Sequence, residues 1–191
     1  MSKVSMPVSN DFCPQTLFLY GTYKDDGTPN FGLFCWISYC WDGGLSVMAA
    51  IGGEKLTRDR IRENGVFSAN LVTEDILQLA DYFGNTEGYS GDKTRLPIDT
   101  VKGACLDVPV LESSPLAFEL EVSRSIPLEG SEVFICRIRN VLADEELADQ
   151  SIGVAERLQA IAPVRTTCST YFSWGGRPMG RWGEPMKKAR G

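Results

Sequence analysis

The hydrophobic pattern of the chain changes period several times. Thr16–Tyr23 (TLFLYGTY) reads as a strand, and Lys24-Asp25-Asp26-Gly27 supplies a hairpin turn because Asp-Gly favours positive φ. Asn30–Trp41 (NFGLFCWISYCW) reads as a second strand, and its nearly unbroken apolar run predicts burial on both faces. Asp42-Gly43-Gly44 is another turn and Leu45–Ile51 (LSVMAAI) a third strand. Three β segments joined by tight turns predict an antiparallel meander.

Helical spacing follows. Thr57 is placed to cap a short helix that runs through Asn64 and closes at Gly65. Val66–Val72 is short and β-like. Thr73 then precedes Ile76, Leu79, Ala80 and Phe83, apolar positions at helical spacing that end at Gly84. Asn85–Lys102, rich in Gly, Asp and Thr, reads as a loop or lid. In Ala117–Ile126, Phe118, Leu120 and Val122 alternate with Glu119, Glu121 and Ser123, the signature of a half-buried strand. Glu129-Gly130-Ser131 turns it into a partner strand, Glu132–Leu142. Ser151–Ile161 reads as a helix stopped before Pro163. From Met179 the basic residues Arg181, Lys187, Lys188 and Arg190 read as a partly mobile tail.

Strands do not alternate with helices, so a Rossmann sheet is disfavoured. The fold class is mainly β with peripheral helices, as a closed or half-closed antiparallel barrel. At 191 residues the chain buries roughly 70% of its unfolded surface, so it needs neither disulfides nor metal to fold.

Charge and composition narrow the chemistry. The net charge of -6 argues against nucleic acid and an anionic membrane surface as partners. The absence of histidine removes Ser–His–Asp and Cys–His catalysis and any imidazole metal site. Redox or group-transfer chemistry would then come from an organic cofactor. Cys13, Cys35, Cys40, Cys105, Cys136 and Cys168 form no C-x-x-C pair, which predicts reduced, mostly buried thiols in a cytoplasmic protein. On one straight strand, Cys35 and Cys40 would face opposite sides. Residues 1–14 hold Lys3 but no apolar run, so no signal peptide is predicted, and no stretch approaches a membrane span. Gly91-Asp92-Lys93-Thr94 only superficially matches a Walker A loop, since Asp92 intrudes and no strand leads into it.

Three features carry candidate chemistry. In Gly52-Gly53-Glu54-Lys55-Leu56-Thr57-Arg58, two glycines leave a strand and basic residues meet a helix start. Such a start binds anions through free N–H groups and its dipole, although a solvated, Thr57-capped helix has the same sequence. Phe34, Trp36, Tyr39 and Trp41 offer a flat apolar wall for a planar ring, with Ser38 as a polar group at its end, or simply fill a core. Tyr171-Phe172-Ser173-Trp174-Gly175-Gly176 reads equally as a lid over a planar ligand or as a dimer contact.

In order and spacing these segments resemble the flavin reductase-like family with the FMN-binding split barrel, the flavoredoxin type in particular. The stretches are Asp26–Phe31, Trp36–Ser38, Glu54–Thr57 through Ile61, Gly65–Leu71, the acidic helix Thr73–Asp81, Ser90–Lys93 and Tyr171–Gly175. The resemblance covers roughly residues 15–180, leaving 1–14 as an N-terminal extension and 181–191 as a basic C-terminal tail.

The resemblance implies an antiparallel split β-barrel and a homodimer with FMN near the subunit interface. Trp36, Ile37, Ser38 and Tyr39 would then line the isoalloxazine. Lys55, Thr57 and Arg58 would take the phosphate, with Ser90 and Lys93 approaching it from a loop. Asn70 would sit near the ribityl chain or the ring, and Tyr171 and Trp174 would flank the open ring face. The implied activity is of the NAD(P)H:flavin oxidoreductase type, taking electrons from NAD(P)H or a protein donor through bound FMN and delivering them to flavin, oxygen, a redox partner protein or a monooxygenase. A non-catalytic FMN-binding electron carrier or flavin-binding module is the alternative. The chain departs from the family at Asp42-Gly43-Gly44, where the family usually has Asp followed by two prolines, and it lacks the histidine that some relatives use near the nicotinamide.

Overall fold

A computed structural model of the chain describes residues 3–90, 93, 96–175 and 178–187. In chain order the elements are β1 (Gln15–Thr16), β2 (Phe18–Tyr23), β3 (Pro29–Phe34), β4 (Ile37–Trp41), β5 (Leu45–Gly52), α1 (Leu56–Asn64), β6 (Val66–Leu71) and α2 (Leu77–Gly84). They continue with β7 (Thr100–Lys102), β8 (Pro109–Leu111), β9 (Leu116–Leu128), β10 (Ser131–Ala143), α3 (Glu145–Ala148) and α4 (Val154–Ile161). Last come β11 (Arg165–Thr167), β12 (Thr170–Phe172), β13 (Pro178–Arg181) and α5 (Glu184–Lys187).

The large sheet is antiparallel throughout and runs β3-β2-β6-β9-β10-β5-β4. Its two edge strands, β3 and β4, are consecutive in the chain and joined only by Cys35 and Trp36. Three Cα steps reach at most about 11 Å, so the sheet must curl until its edges approach. No ladder joins β3 to β4, which leaves a split barrel.

This corrects the single strand expected over Asn30–Trp41 and the three-stranded meander. The apolar run is cut at Cys35–Trp36 by a three-residue turn in which Ile37 N–H donates to Cys35 C=O at 3.0 Å. The strand buried on both faces is β2 instead. Phe18 and Tyr20 enter the barrel core with Ile51, Phe67 and Phe134. Leu17 and Leu19 enter a second core with Phe31, Leu77, Phe83 and Tyr171. Cys35 lies in the turn and Cys40 on β4, so they do not share a straight strand. All six cysteines are free thiols, but only Cys136 is buried, while Cys13, Cys105 and Cys168 are exposed.

Several caps also differ. Thr57 is the second residue of α1 and is buried, its hydroxyl accepting from Asn30 Nδ2 at 3.0 Å. It therefore does not cap. Gly65 does close the helix, at φ 70°, with its N–H on Ile61 C=O. Thr73 bridges to Pro163 and caps nothing, and α2 begins at Leu77. Glu119, expected on the wet face of its strand, is fully buried. The β7–β8 excursion covers it, with the Ala104, Cys105 and Leu106 N–H groups donating to its carboxylate at 2.6–3.0 Å.

A second sheet, β1-β11-β12-β13, packs with α2 and α5 outside the barrel. Much of the expected tail is thus built in: Pro178–Arg181 forms β13 and Glu184–Lys187 forms α5. Lys188 and Arg190 lie outside the described residues. The organising group is Asp81, fully buried on α2. Its carboxylate accepts the Tyr171 hydroxyl (2.8 Å), Asn85 Nδ2 (2.9 Å), Gly183 N–H (2.7 Å) and Met186 N–H (2.9 Å). These bonds fix the segment that presents Trp182.

Candidate functional site

A cleft of about 590 Å³ lies between the outer face of β4–β5 and the small sheet. Ladder alternation sets its first wall. Val47, Ala49 and Ile51 point into the barrel, so Met48, Ala50 and Gly52 face outward. Ser38 stands opposite Met48 on that face, and Trp36 follows it. Trp36 C=O accepts Ala50 N–H at 2.8 Å, which anchors the backbone. A Cβ at Gly52 would come within 3.3 Å of the Trp36 ring, so glycine lets the indole pack closely against β5. Trp36 stays 52% exposed, and Tyr39 and Trp41 are also exposed. Core filling is therefore not their role. The second wall is formed by Thr166, Thr167 and Trp182. Trp182 is held by its indole N–H on Thr166 Oγ1 (3.1 Å) and its backbone N–H on Ser169 C=O (3.1 Å).

At one side the cleft meets a small pocket, and Lys55, Leu33, Phe34 and Gly84 line both. Thr57, Glu87 and Lys93 line the small pocket only. It opens at the start of α1, where no side chain caps the first-turn N–H groups. Those groups and the positive end of the helix favour an anion. Gly32 permits the close approach of β3, since a Cβ there would sit 2.7 Å from Thr57 Oγ1.

Lys93 is 8% exposed and donates to Phe31 C=O at 2.8 Å. Burial, and then the charge of Lys55, push its ammonium down to about 8. Among the described residues no carboxylate pairs with Lys55. Two lysines thus face one pocket at an uncapped helix start, an arrangement that an anion between them would relieve.

Of the residues singled out in the sequence, Trp36, Ile37, Ser38 and Lys55 meet at the cleft, and Lys55, Thr57 and Lys93 at the small pocket. The others go elsewhere. Tyr39 lies edge-on to Phe118 (centroids 6.4 Å apart) and lines neither space. Arg58 folds back, with Nη1 on Gly53 C=O at 2.6 Å and Nε near Asp59. Ser90 donates to Glu87 C=O at 2.9 Å on the loop. Gly91, Asp92 and Gly176, parts of the expected motifs, lie outside the described residues.

Asn70 is fully buried and consumed by the fold: Nδ2 donates to Leu19 C=O and Ser68 Oγ, and Oδ1 accepts Leu111 N–H. It lines neither space. Tyr171 is fully buried with its hydroxyl on Asp81, and it lines neither space. Trp174 lies under the Arg165 guanidinium (4.3 Å) and lines neither space. The missed wall residues are Met48, an outward position within a strand correctly read, and Trp182. For Trp182 the only sequence signal was an aromatic in a stretch without periodicity.

Comparisons place this geometry in context. The model of the flavin reductase like domain matches residues 10–160. The flavoredoxin of Desulfovibrio vulgaris (Miyazaki F) is similar at 27% identity, with TM-score 0.79 over 90% of this chain and 93% of that one. An FMN-binding protein from Thermus thermophilus with bound p-hydroxybenzaldehyde is similar at 20% identity (TM-score 0.69; 95% and 93% covered). The styrene monooxygenase flavin reductase from Pseudomonas putida S12 is similar at 16% identity (TM-score 0.66; 84% and 90% covered). The last two likenesses are of fold alone. No curated protein matches the chain.

Proposed function

Because the chain belongs to the flavin reductase-like family, and so to flavin-linked oxidoreductases, we propose that it binds FMN in this cleft. It takes electrons from NAD(P)H or a protein donor and passes them to free flavin, oxygen, a redox partner protein or a monooxygenase. The observation that carries the reading is the Lys55–Lys93 pair at the uncapped start of α1, opening onto an aromatic-walled cleft. A space of about 590 Å³ falls in the range of small-molecule sites.

The residues present fit FMN. Lys55 and Lys93, with the first-turn N–H groups of α1, hold the phosphate, and Thr57 shapes the pocket floor. Trp36 and Met48 give a flat apolar wall for the ring. Ile37 and Ser38 border it, and Trp182 limits the other side. The flavin supplies the hydride and electron chemistry when bound. The protein fixes its orientation and keeps one ring face open. No side-chain acid or base is needed, in keeping with a chain that has no histidine.

The exposed aromatics Tyr39 and Trp41 on the edge strand β4, beside exposed Leu45, form the surface through which two copies pair as a homodimer. Six free thiols suit a cytoplasmic location. A second reading, an FMN electron carrier without turnover of its own, is favoured by the likeness to a flavoredoxin. Steady NAD(P)H oxidation with excess free FMN at substoichiometric protein separates the two. The reductase reading expects many turnovers per chain, and at most one reduction per bound flavin would leave the carrier.

A further inference from the structure

Three cysteines line the cleft, Cys13, Cys35 and Cys168, and the two exposed ones, Cys13 and Cys168, have no part in the flavin site. β1 pairs with β11 so that Gln15 faces Thr166 and Thr16 faces Arg165. Past this ladder, Asn10 joins the segment that carries Cys13 to the β11–β12 turn that carries Cys168. Its C=O accepts Cys13 N–H at 3.3 Å and the Thr167 hydroxyl at 2.6 Å, and its side-chain oxygen is 3.6 Å from Cys168 Sγ. Both cysteines are exposed and both line the cleft.

The backbone at Cys168 is unusual. Thr167 pairs with Thr170, so Cys168 and Ser169 are the two central residues of a hairpin turn, at φ 48° and 55°. Two positive φ values mark a type I′ turn, which Asn-Gly or Asp-Gly normally fill. A cysteine kept there costs backbone energy, and such outliers cluster at functional sites.

The two sulfurs have different neighbours. Gln15 Nε2 donates to Cys13 Sγ at 3.0 Å. The Cys168 thiol donates to the Asp11 carboxylate, which pushes that thiol up.

We propose that Cys13 and Cys168 form a thiol–disulfide couple on the cleft wall that exchanges with low-molecular-weight disulfides. Cys13, as thiolate, attacks one sulfur of the small disulfide. The disulfide bond breaks, one small thiol leaves, and Cys13 carries a mixed disulfide. Cys168 then attacks the Cys13 sulfur, the bond from Cys13 to the small thiol breaks, and the Cys168 proton passes to the departing sulfur, so the second small thiol leaves. In sum, two cysteine thiols are oxidised to one disulfide while one small disulfide is reduced to two thiols. The bond ties the N-terminal segment across to the β11–β12 turn.

The exchange needs no flavin, so its failure would leave the flavin reading standing, and the reverse. The test is to incubate the full chain with oxidised glutathione, then count thiols under denaturing conditions and map cross-linked peptides. The wild type is expected to lose two of its six reactive thiols. Its mass should fall by two hydrogens, and the Cys13 and Cys168 peptides should be joined. Cys13→Ser and Cys168→Ser abolish the cross-link, while Cys105→Ser, at another exposed cysteine, leaves it intact. Glutathione adducts on Cys13 and Cys168 without a cross-link, a cross-link to any other cysteine or another chain, or six unmodified thiols would each overturn the proposal.

Discussion

The barrel and the small sheet are both antiparallel, yet they are held by different forces. The barrel joins seven strands through continuous ladders around one apolar core, with β9 and β10 paired over most of their thirteen residues each. The small sheet has strands of two to four residues and is stitched to α2 by the hydrogen bonds of one buried carboxylate, Asp81. The cleft lies between them, so one wall is a set of long continuous ladders and the other a short-stranded sheet that packs on α2 and is clasped to it by Asp81. A site built this way has a fixed face for a ring and a more easily altered face toward a donor or acceptor.

The comparison breaks most sharply at Asp81. Asp81→Ala leaves buried donors at Tyr171, Gly183 and Met186, and is expected to cost roughly 4 kcal/mol. Urea unfolding followed by Trp182 and Trp36 fluorescence checks it, and a cost below about 1 kcal/mol would show that the small sheet does not hang on this group.

The barrel's own buried carboxylate gives the matched case. Glu119→Gln retains one carbonyl acceptor for its N–H donors, so about 2 kcal/mol is expected. Burial pushes the Glu119 carboxyl up, but hydrogen bonds from Asn140, Leu106, Cys105 and Ala104 outweigh it and leave it below its ordinary 4.5. Its contribution is therefore present above pH 4.5 and lost as pH falls through the folded value. Glu119→Gln should flatten the acid limb of a stability–pH curve, and an unchanged limb would count against this.

Lys93 works in the opposite direction. Its folded value near 8 lies below the ordinary 10.5, so the unfolded chain binds more protons between these pH values and stability rises across that window. A bound phosphate favours the charged lysine, so FMN affinity should fall as pH rises past 8 while riboflavin affinity stays flat. Lys93→Met should weaken FMN by about tenfold at pH 7 and remove the pH step. Titration of both ligands from pH 7 to 10 decides it.

The smallest effect is expected at Ser38. Ser38→Ala should move the flavin midpoint by about 20 mV, the worth of one hydrogen bond of ~1 kcal/mol in a two-electron couple, with little change in affinity. An unmoved midpoint would make Ser38 part of the scaffold only.

Much of the barrel is legible in the sequence because alternation and turn residues are local. β5, β6, β9 and β10, the glycine turn at Gly130 and the close of α1 at Gly65 follow from them. The cut at Cys35–Trp36 is not legible, since the apolar run continues through it and only barrel closure demands a change of edge. Thr57 looks like a cap until Asn30, 27 residues away, takes its hydroxyl. Glu119 looks solvated until the β7–β8 excursion covers it. At the site, Trp36, Ser38 and Lys55 stand out as local chemistry, whereas Lys93 is reached only through the family resemblance. Trp182 and the Asp81 clasp do not stand out, because Asp81 and Gly183 meet across 102 residues of mixed structure.

The most direct test of the central claim is a titration of the purified full chain, stripped of any chromophore, with FMN and with riboflavin. Flavin absorbance and quenching of Trp36 and Trp182 would be read for the wild type and for Lys55→Ala. The account predicts about one FMN per chain, quenching of tryptophan emission, and a loss of about tenfold for FMN in Lys55→Ala with riboflavin nearly unchanged. No uptake of FMN, or an equal loss for both ligands, would contradict it.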